Sequence, residues 1–357
     1  MKAVRVHEYH SDPQIDDIPE PTLQGPLDVI VKVGGAGVCR TDLHIVNGDW
    51  QQAMNPDLPY VIGHENAGWV HEIGEGVTNV AVGDTVILHP QPSCGLCLAC
   101  RAGNDMHCVN AFFPGLSNND GGMAEYLRTT ARACVKLDPS TNPADVAALA
   151  DAGITAYHAV RKAVPRLWPG TTAVVQGAGG LGHIGIQALA ALCATRIVVV
   201  DKNPDALALA KEIGADETVV ADGSHVDAVK DLTNGQGADV VFDFVAEQGA
   251  ELDAWAMTAP DGFQYIIGYG GEFFVGKHPF ARVRLRQPAP LGSENLYYVH
   301  AAPGHCAYHP AHALGAENRL HRVIHLGEVE EEQLVRSCSY PISGGDNIRQ
   351  IGDALVI

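Results

Sequence analysis

Hydrophobic and polar positions along the 357-residue chain follow two different rules, and the change falls near residues 150–169. Before it, short apolar runs alternate with polar residues and stop at Gly, Pro or Asp. Met-Lys-Ala-Val-Arg-Val at 1–6 has this alternation, and strand-like runs recur at 28–33, 68–73 and 84–88. Short runs broken by turn residues predict the strands of a small β-rich domain. After the change the apolar runs become continuous, and longer helical stretches separate them. Strands are predicted at 172–176, 196–200, 217–220, 238–244 and 264–268, with helices at 182–192, 203–213 and 225–233. Strands buried on both faces and spaced by helices predict a parallel, doubly wound sheet. The fold class is therefore α/β, a β-rich domain followed by a Rossmann-type sheet.

Composition narrows the class. The length exceeds one ordinary domain, and 46% hydrophobic residues suffice for packed cores. A formal charge of -19 argues against a nucleic-acid partner, which requires clustered Lys and Arg, and against anionic membranes. The most apolar stretch, 184–200, carries Gln187 and Arg196, and no run offers eighteen uninterrupted apolar residues. The first residues read as a strand instead of an export signal. A soluble, cytoplasmic protein is expected.

Two motifs carry chemistry. Cys94-Gly-Leu-Cys97-Leu-Ala-Cys100, then seven residues and Cys108, gathers four thiols in fifteen positions. Four cysteines this close suit a closed tetrahedral zinc site of structural type, and a pair of disulfides is the alternative. The lack of an export signal and the scatter of the other cysteines favour zinc. Gly177-Ala-Gly179-Gly180-Leu181-Gly182 follows a predicted strand and opens a predicted helix. Asp201 ends the next strand, nineteen residues past Gly182. The strand, glycine turn, helix and acid together form a dinucleotide-binding fingerprint. The first glycine makes the turn, the second admits the pyrophosphate, and the third lets helix and strand pack closely. Asp201 would accept the ribose hydroxyls and repel a 2′-phosphate. Lys202 offsets part of that repulsion, so NAD is expected over NADP.

Cys39-Arg40-Thr41-Asp42-Leu-His44 and Gly63-His64-Glu65 lie in the β-rich part. With the four-cysteine lobe and the fingerprint in this order, the chain resembles the zinc-dependent medium-chain alcohol dehydrogenases from residue 1 to about 271. The resemblance implies a GroES-like catalytic domain at 1–150 and an NAD-binding Rossmann domain at 151–285. An atypical segment, 286–357, stands where the family returns to the catalytic domain. It implies Cys39 and His64 as ligands of a catalytic zinc. Asp151, where many relatives have cysteine, resembles the third ligand of a secondary-alcohol dehydrogenase branch of bacteria and archaea. The alternative for Asp151 is a helix N-cap. Glu65 would lie behind the metal as a transient ligand, and Asp42 would orient His64. Each is equally readable as a buried, hydrogen-bonded carboxylate. Thr41 would take the hydroxyl proton and pass it through the nicotinamide ribose to His44, since imidazole exchanges protons near neutrality. Arg40 would contact the pyrophosphate, Thr155 would flank the nicotinamide, and Ile267 and Gly268 would border its carboxamide. Trp50 and His89-Pro90 would wall a pocket for small hydrophobic primary or secondary alcohols, oxidised to aldehydes or ketones. One catalytic and one structural zinc per chain and NAD are the implied cofactors, and the family suggests a homodimer or homotetramer. A zinc-free quinone reductase of the same fold, or a non-catalytic nucleotide- or zinc-binding protein, are the other readings. The zinc motifs oppose the first, and intact Thr41 and His44 oppose the second.

The pattern breaks down after residue 271. Residues 273–340 contain no Asp and no Thr but seven of the seventeen histidines. No helical or strand period is legible there, so a divergent or out-of-frame tail without the family's last strands and dimer edge is expected.

Overall fold

The computed structural model describes residues 1–49, 51, 57–116, 119–247 and 249–268, and the backbone of Leu296–Ala302 and His305–Pro310. Among these, the chain divides into two compact units between Ile154 and Thr155.

The first unit is built from two antiparallel sheets. In the larger, strands β3 (Asp28–Gly37), β5 (Glu65–Ile73), β6 (Thr85–Leu88), β7 (Tyr126–Thr130) and β8 (Cys134–Lys136) lie in the order β7-β3-β5-β6-β8. The smaller pairs β1 (Lys2–Val6) with β2 (Gln14–Asp17) on one side and β4 (Tyr60–Val61) on the other. Val29, Val31, Val70, Val86, Leu88 and Leu127 fill one core, each almost wholly buried. Each fully buried side chain of this size contributes about 1.5–3 kcal/mol relative to exposure. Strand β3 buries all of its first four residues instead of alternating. Here tertiary packing on both faces overrides the period-two expectation.

The second unit carries one sheet in the order β11-β10-β9-β12-β13-β14-β15. The first five strands are parallel: β9 (Thr172–Gln176), β10 (Arg196–Asp201), β11 (Glu217–Val220), β12 (Ala238–Asp243) and β13 (Thr258–Ile267). Helices Gly182–Leu192, Pro204–Glu212 and His225–Leu232 fall within a residue of their expected bounds. Val175, Val199 and Phe242 pack into the core on one face, and Val174, Val198 and Val241 into that on the other. That two-sided burial is why these strands read as unbroken apolar runs.

One expectation fails at the sheet's edge. β14 (Leu296–Ala302) pairs antiparallel with β13, and β15 (His305–Pro310) pairs antiparallel with β14. The stretch expected to lack strands therefore supplies two. Backbone pairing needs no hydrophobic alternation, and Leu-Tyr-Tyr-Val has high strand propensity, so periodicity alone missed them. The rest of 273–340, Trp50, and most of the expected segment 286–357 lie outside the described residues.

Candidate active site

Helix Arg40–Val46 begins where β3 ends, and its first residues are fixed by a reciprocal cap. The Thr41 N–H donates to Cys39 Sγ at 3.2 Å, and the Cys39 N–H donates to Asp42 Oδ2 at 2.9 Å. This cap orients the thiol and leaves Asp42 buried behind it. The helix places Thr41 and His44 three residues apart, hence on one face. His44 Nδ1 lies 2.7 Å from Asp49 Oδ2, with a quarter of its side chain exposed. Arg40 is exposed on the same first turn.

His64 precedes β5 and is buried almost completely. Its Nε2 lies 3.2 Å from Cys39 Sγ and 3.4 Å from Asp151 Oδ2. For a tetrahedral zinc with ordinary bond lengths, the sulfur–nitrogen and nitrogen–oxygen separations are about 3.6 and 3.4 Å. The separations of His64 from Cys39 and from Asp151 are each close to those of two ligands on one zinc ion. Asp42 also comes close to Cys39 and His64, but from the other side, with Oδ1 3.5 Å from His64 Nδ1. One imidazole cannot present both nitrogens to one metal, so Asp42 occupies the orienting position. Burial by itself would lower the His64 pKa, but Asp151, Asp42 and Cys39 outweigh it and raise it well above the usual value. Three acceptors around one ring form a pocket that favours a cation.

Glu65 does a job that sequence did not show. Its Oε1 accepts the N–H of Ala152, the first residue of helix Ala152–Ala163, at 2.9 Å. Glu65 thus satisfies a helix-start amide directly beside Asp151. Burial pushes the Glu65 carboxyl up to about 7, against the Ala152 bond that lowers it. Gly37 has no Cβ because one there would overlap Glu65 Oε2. His89, in the expected pocket wall, turns Nδ1 to the Gln91 N–H at 3.2 Å.

The four thiols of the lobe converge without any disulfide. Cys94 and Cys97 sulfurs lie 4.0 and 3.5 Å from that of Cys100. A zinc–sulfur bond of about 2.3 Å in a tetrahedron places sulfurs about 3.8 Å apart. The Cys94 N–H donates to Cys108 Sγ, while the Leu96 and Cys97 N–H groups donate to Cys94 Sγ. Those last two donors hold the Cys94 thiol down at about 6, the thiolate form a metal requires.

In the second unit, β9 leads into the glycine turn and helix Gly182–Leu192 leads out. Gly177 adopts φ +89°, and a Cβ on Gly182 would overlap the Gly177 carbonyl oxygen. Gly179 and Gly180 face open space. Asp201 does more than sequence suggested: its Oδ2 accepts the Ala178 N–H at 2.6 Å and its Oδ1 the Asn203 N–H at 2.8 Å. The acid thereby ties the turn to β10, while Lys202 beside it is exposed. Leu181 caps the helix without a side-chain bond. Ile267 ends β13, Gly268 follows it against Ala246, and Thr155 lies on helix Ala152–Ala163.

Known proteins share both halves. Residues 25–139 match the alcohol dehydrogenase GroES-like domain, and residues 180–287 match the zinc-binding dehydrogenase domain. An alcohol dehydrogenase of Geobacillus stearothermophilus is 36% identical over 245 residues, 68% of this chain and 70% of that one. The chain belongs to the zinc-dependent medium-chain alcohol dehydrogenase family. An NAD-dependent alcohol dehydrogenase of Sulfolobus acidocaldarius is 36% identical over 76% of this chain and 78% of its own. The crystal structure of an alcohol dehydrogenase from Aeropyrum pernix matches with TM-score 0.74 and 46% identity, covering 76% of this chain and 80% of that one. The GroES-like and Rossmann-type halves expected from sequence are thus those of a family of oxidoreductases. Among the described residues no helix is long and apolar enough to cross a membrane.

Proposed function

We propose that this dehydrogenase oxidises small hydrophobic primary or secondary alcohols with NAD, holding one catalytic and one structural zinc per chain. The observation that carries it is that one nitrogen of His64 lies within ligand-pair distance of both Cys39 and Asp151, with Thr41 and His44 on the helix that Cys39 caps. Zinc held there would supply Lewis acidity to bring an alcohol hydroxyl within reach of ionisation near neutral pH, and NAD would supply the hydride acceptor. Asp42 fixes the His64 ring. Glu65 fixes the helix start beside Asp151 through its bond to the Ala152 amide. Thr41 receives the hydroxyl proton by a hydrogen bond, and His44, anchored by Asp49 and open to solvent, delivers it outward.

In the other unit, the 177–182 turn seats the pyrophosphate on the start of helix Gly182–Leu192. Asp201 has lone pairs left for ribose hydroxyls after its two amide bonds, and its charge disfavours NADP. Arg40 serves the pyrophosphate, and Thr155, Ile267 and Gly268 the nicotinamide end. The four-cysteine lobe holds the structural ion. The test is NADH formation across primary, secondary and aryl alcohols, run beside elemental analysis of the purified protein. Two zinc ions per chain with alcohol-dependent NADH formation is the expected result. Absence of turnover in fully zinc-loaded protein would overturn the reading.

A further inference from the structure

A buried polar cluster lies where the parallel strands end in the second unit. Asp243, the last residue of β12, is wholly buried. Its Oδ1 accepts the N–H groups of Val245 and Ala246, both at 3.0 Å, while its Oδ2 has no hydrogen-bond partner. Gln176 pairs with Asp243 across β9 and β12, and Gln264 pairs with Val241 across β13 and β12. All three polar side chains therefore share one face of the sheet. Gln176 Nε2 donates to the Ala250 carbonyl and Gln264 Nε2 to the Glu251 carbonyl, both in the first turn of helix Ala250–Met257. Because only the amide nitrogens can serve those carbonyls, each Oε1 must point elsewhere, and both are buried without a partner. Among the described residues three acceptors are thus left on one face with no donor, and one proton on Asp243 would pair its Oδ2 with one of the two carbonyls.

Among the described residues, the charged groups that act on Asp243 are acids. Glu251 and Asp253 approach from helix Ala250–Met257, and His225, from the neighbouring helix, is engaged 3.2 Å away by Asp253. Strands β9 and β13 contribute the two neutral glutamines. Burial, helped by the two acids and opposed by the two amide bonds, pushes the Asp243 carboxyl up to about 7. The residues that Asp243 holds pack on the glycine turn and on the end of β13. Val245 packs so tightly on Gly177 that a Cβ there would stand 2.8 Å from its Cγ2, and Ala246 lies equally tight on Gly268. Ala246 also adopts φ +50°, a left-handed conformation that a non-glycine residue keeps only when its neighbours impose it.

Building on the reading of 177–182 as the NAD turn, we propose that Asp243 is a positioning residue for the cofactor, working as a neutral acid. Oδ1 holds the Val245 and Ala246 amides, and Oδ2 donates its proton to a buried glutamine carbonyl, which seats the loop on Gly177 and Gly268. Asn at this position reproduces both the acceptor and the donor and cannot ionise. Leu provides neither.

The test is NADH titration of the zinc-loaded full-length parent, Asp243→Asn and Asp243→Leu between pH 6 and 8.5, with melting temperature followed in parallel. At pH 6, Asp243→Asn should bind within about twofold of the parent, and Asp243→Leu at least about tenfold more weakly. As pH rises the parent should weaken about threefold or more relative to Asp243→Asn, because only the parent loses the proton. Should Asp243→Leu not fold, the ratio of parent to Asp243→Asn still decides. Tenfold weaker binding by Asp243→Asn at pH 6 would overturn the neutral-acid role in favour of a carboxylate or a bridging water. A ratio unchanged with pH, or Asp243→Leu binding like the parent, would overturn it too. A parent that binds no NADH at any pH instead removes the NAD reading on which the role depends.

Discussion

Gly182 and Gly179 sit three residues apart in one turn, yet the structure gives them opposite tasks, and alanine at each separates folding from binding. A Cβ on Gly182 would overlap the Gly177 carbonyl oxygen. Relief requires helix Gly182–Leu192 to move away from β9 by about an ångström, and overpacking of this kind costs about 1–3 kcal/mol. In a domain of this size that lowers the melting temperature by about 2–4 °C per kcal/mol, so a loss of several degrees is expected. Gly179 has nothing within 4 Å of its Cβ position and no left-handed φ. Alanine there should leave stability unchanged or raise it by up to about 1 kcal/mol, since it removes freedom only from the unfolded chain. The open space beside Gly179 is where the pyrophosphate is to lie, so Gly179→Ala should bind NADH about tenfold more weakly or worse, about 1.4 kcal/mol. Thermal unfolding and NADH titration of both variants give the answer. A Gly182→Ala protein that melts with the parent, or a Gly179→Ala protein with full affinity, would refute this division of labour.

The other expectations concern metal, proton and cofactor. Asp151→Ala should retain one zinc per chain by elemental analysis and lose turnover while still binding NADH; two retained ions would remove Asp151 from the ligand set. Cys97→Ala should lower the melting temperature and the zinc count without touching the nucleotide turn, which NADH titration will show. Thr41→Ala should slow alcohol oxidation more than His44→Gln, because it acts at the substrate end of the path, and parental rates in both would refute the path. Asp201→Gly should narrow the preference for NAD over NADP in catalytic efficiency while weakening NAD itself, because the Ala178 and Asn203 amides lose their acceptor. Asp243→Asn should gain stability over the parent as pH rises. The native carboxyl moves from its ordinary 3.8 to about 7, so the native parent holds its proton longer than the unfolded chain and loses stability between these values. The difference, nil near pH 4, should approach a ceiling on the order of 4 kcal/mol above pH 7. Denaturant unfolding that shows a constant or shrinking gap would contradict this.

Sequence by itself determined the parts of the molecule whose signal is local. The glycine turn, the four-cysteine lobe and the helices at 182–192, 204–212 and 225–232 were legible because spacing and period are set within a few residues. A resemblance in the order of motifs was enough to nominate candidate metal and cofactor residues. Tertiary structure alone decided what depends on atoms distant in sequence. It brought His64 Nε2 between Cys39 and Asp151, and it set Glu65 under the Ala152 amide, 87 residues away. It gave Asp201 the added task of tying down Ala178, and it left Asp243 Oδ2 buried without a hydrogen-bond partner among the described residues. It also paired Leu296–Ala302 and His305–Pro310 onto the sheet, where no periodicity announced a strand. The physical reason is common to all of these. A hydrogen bond, a ligand set or a strand pairing is a property of two partners, and a periodic pattern along one chain records only how each segment meets solvent and core.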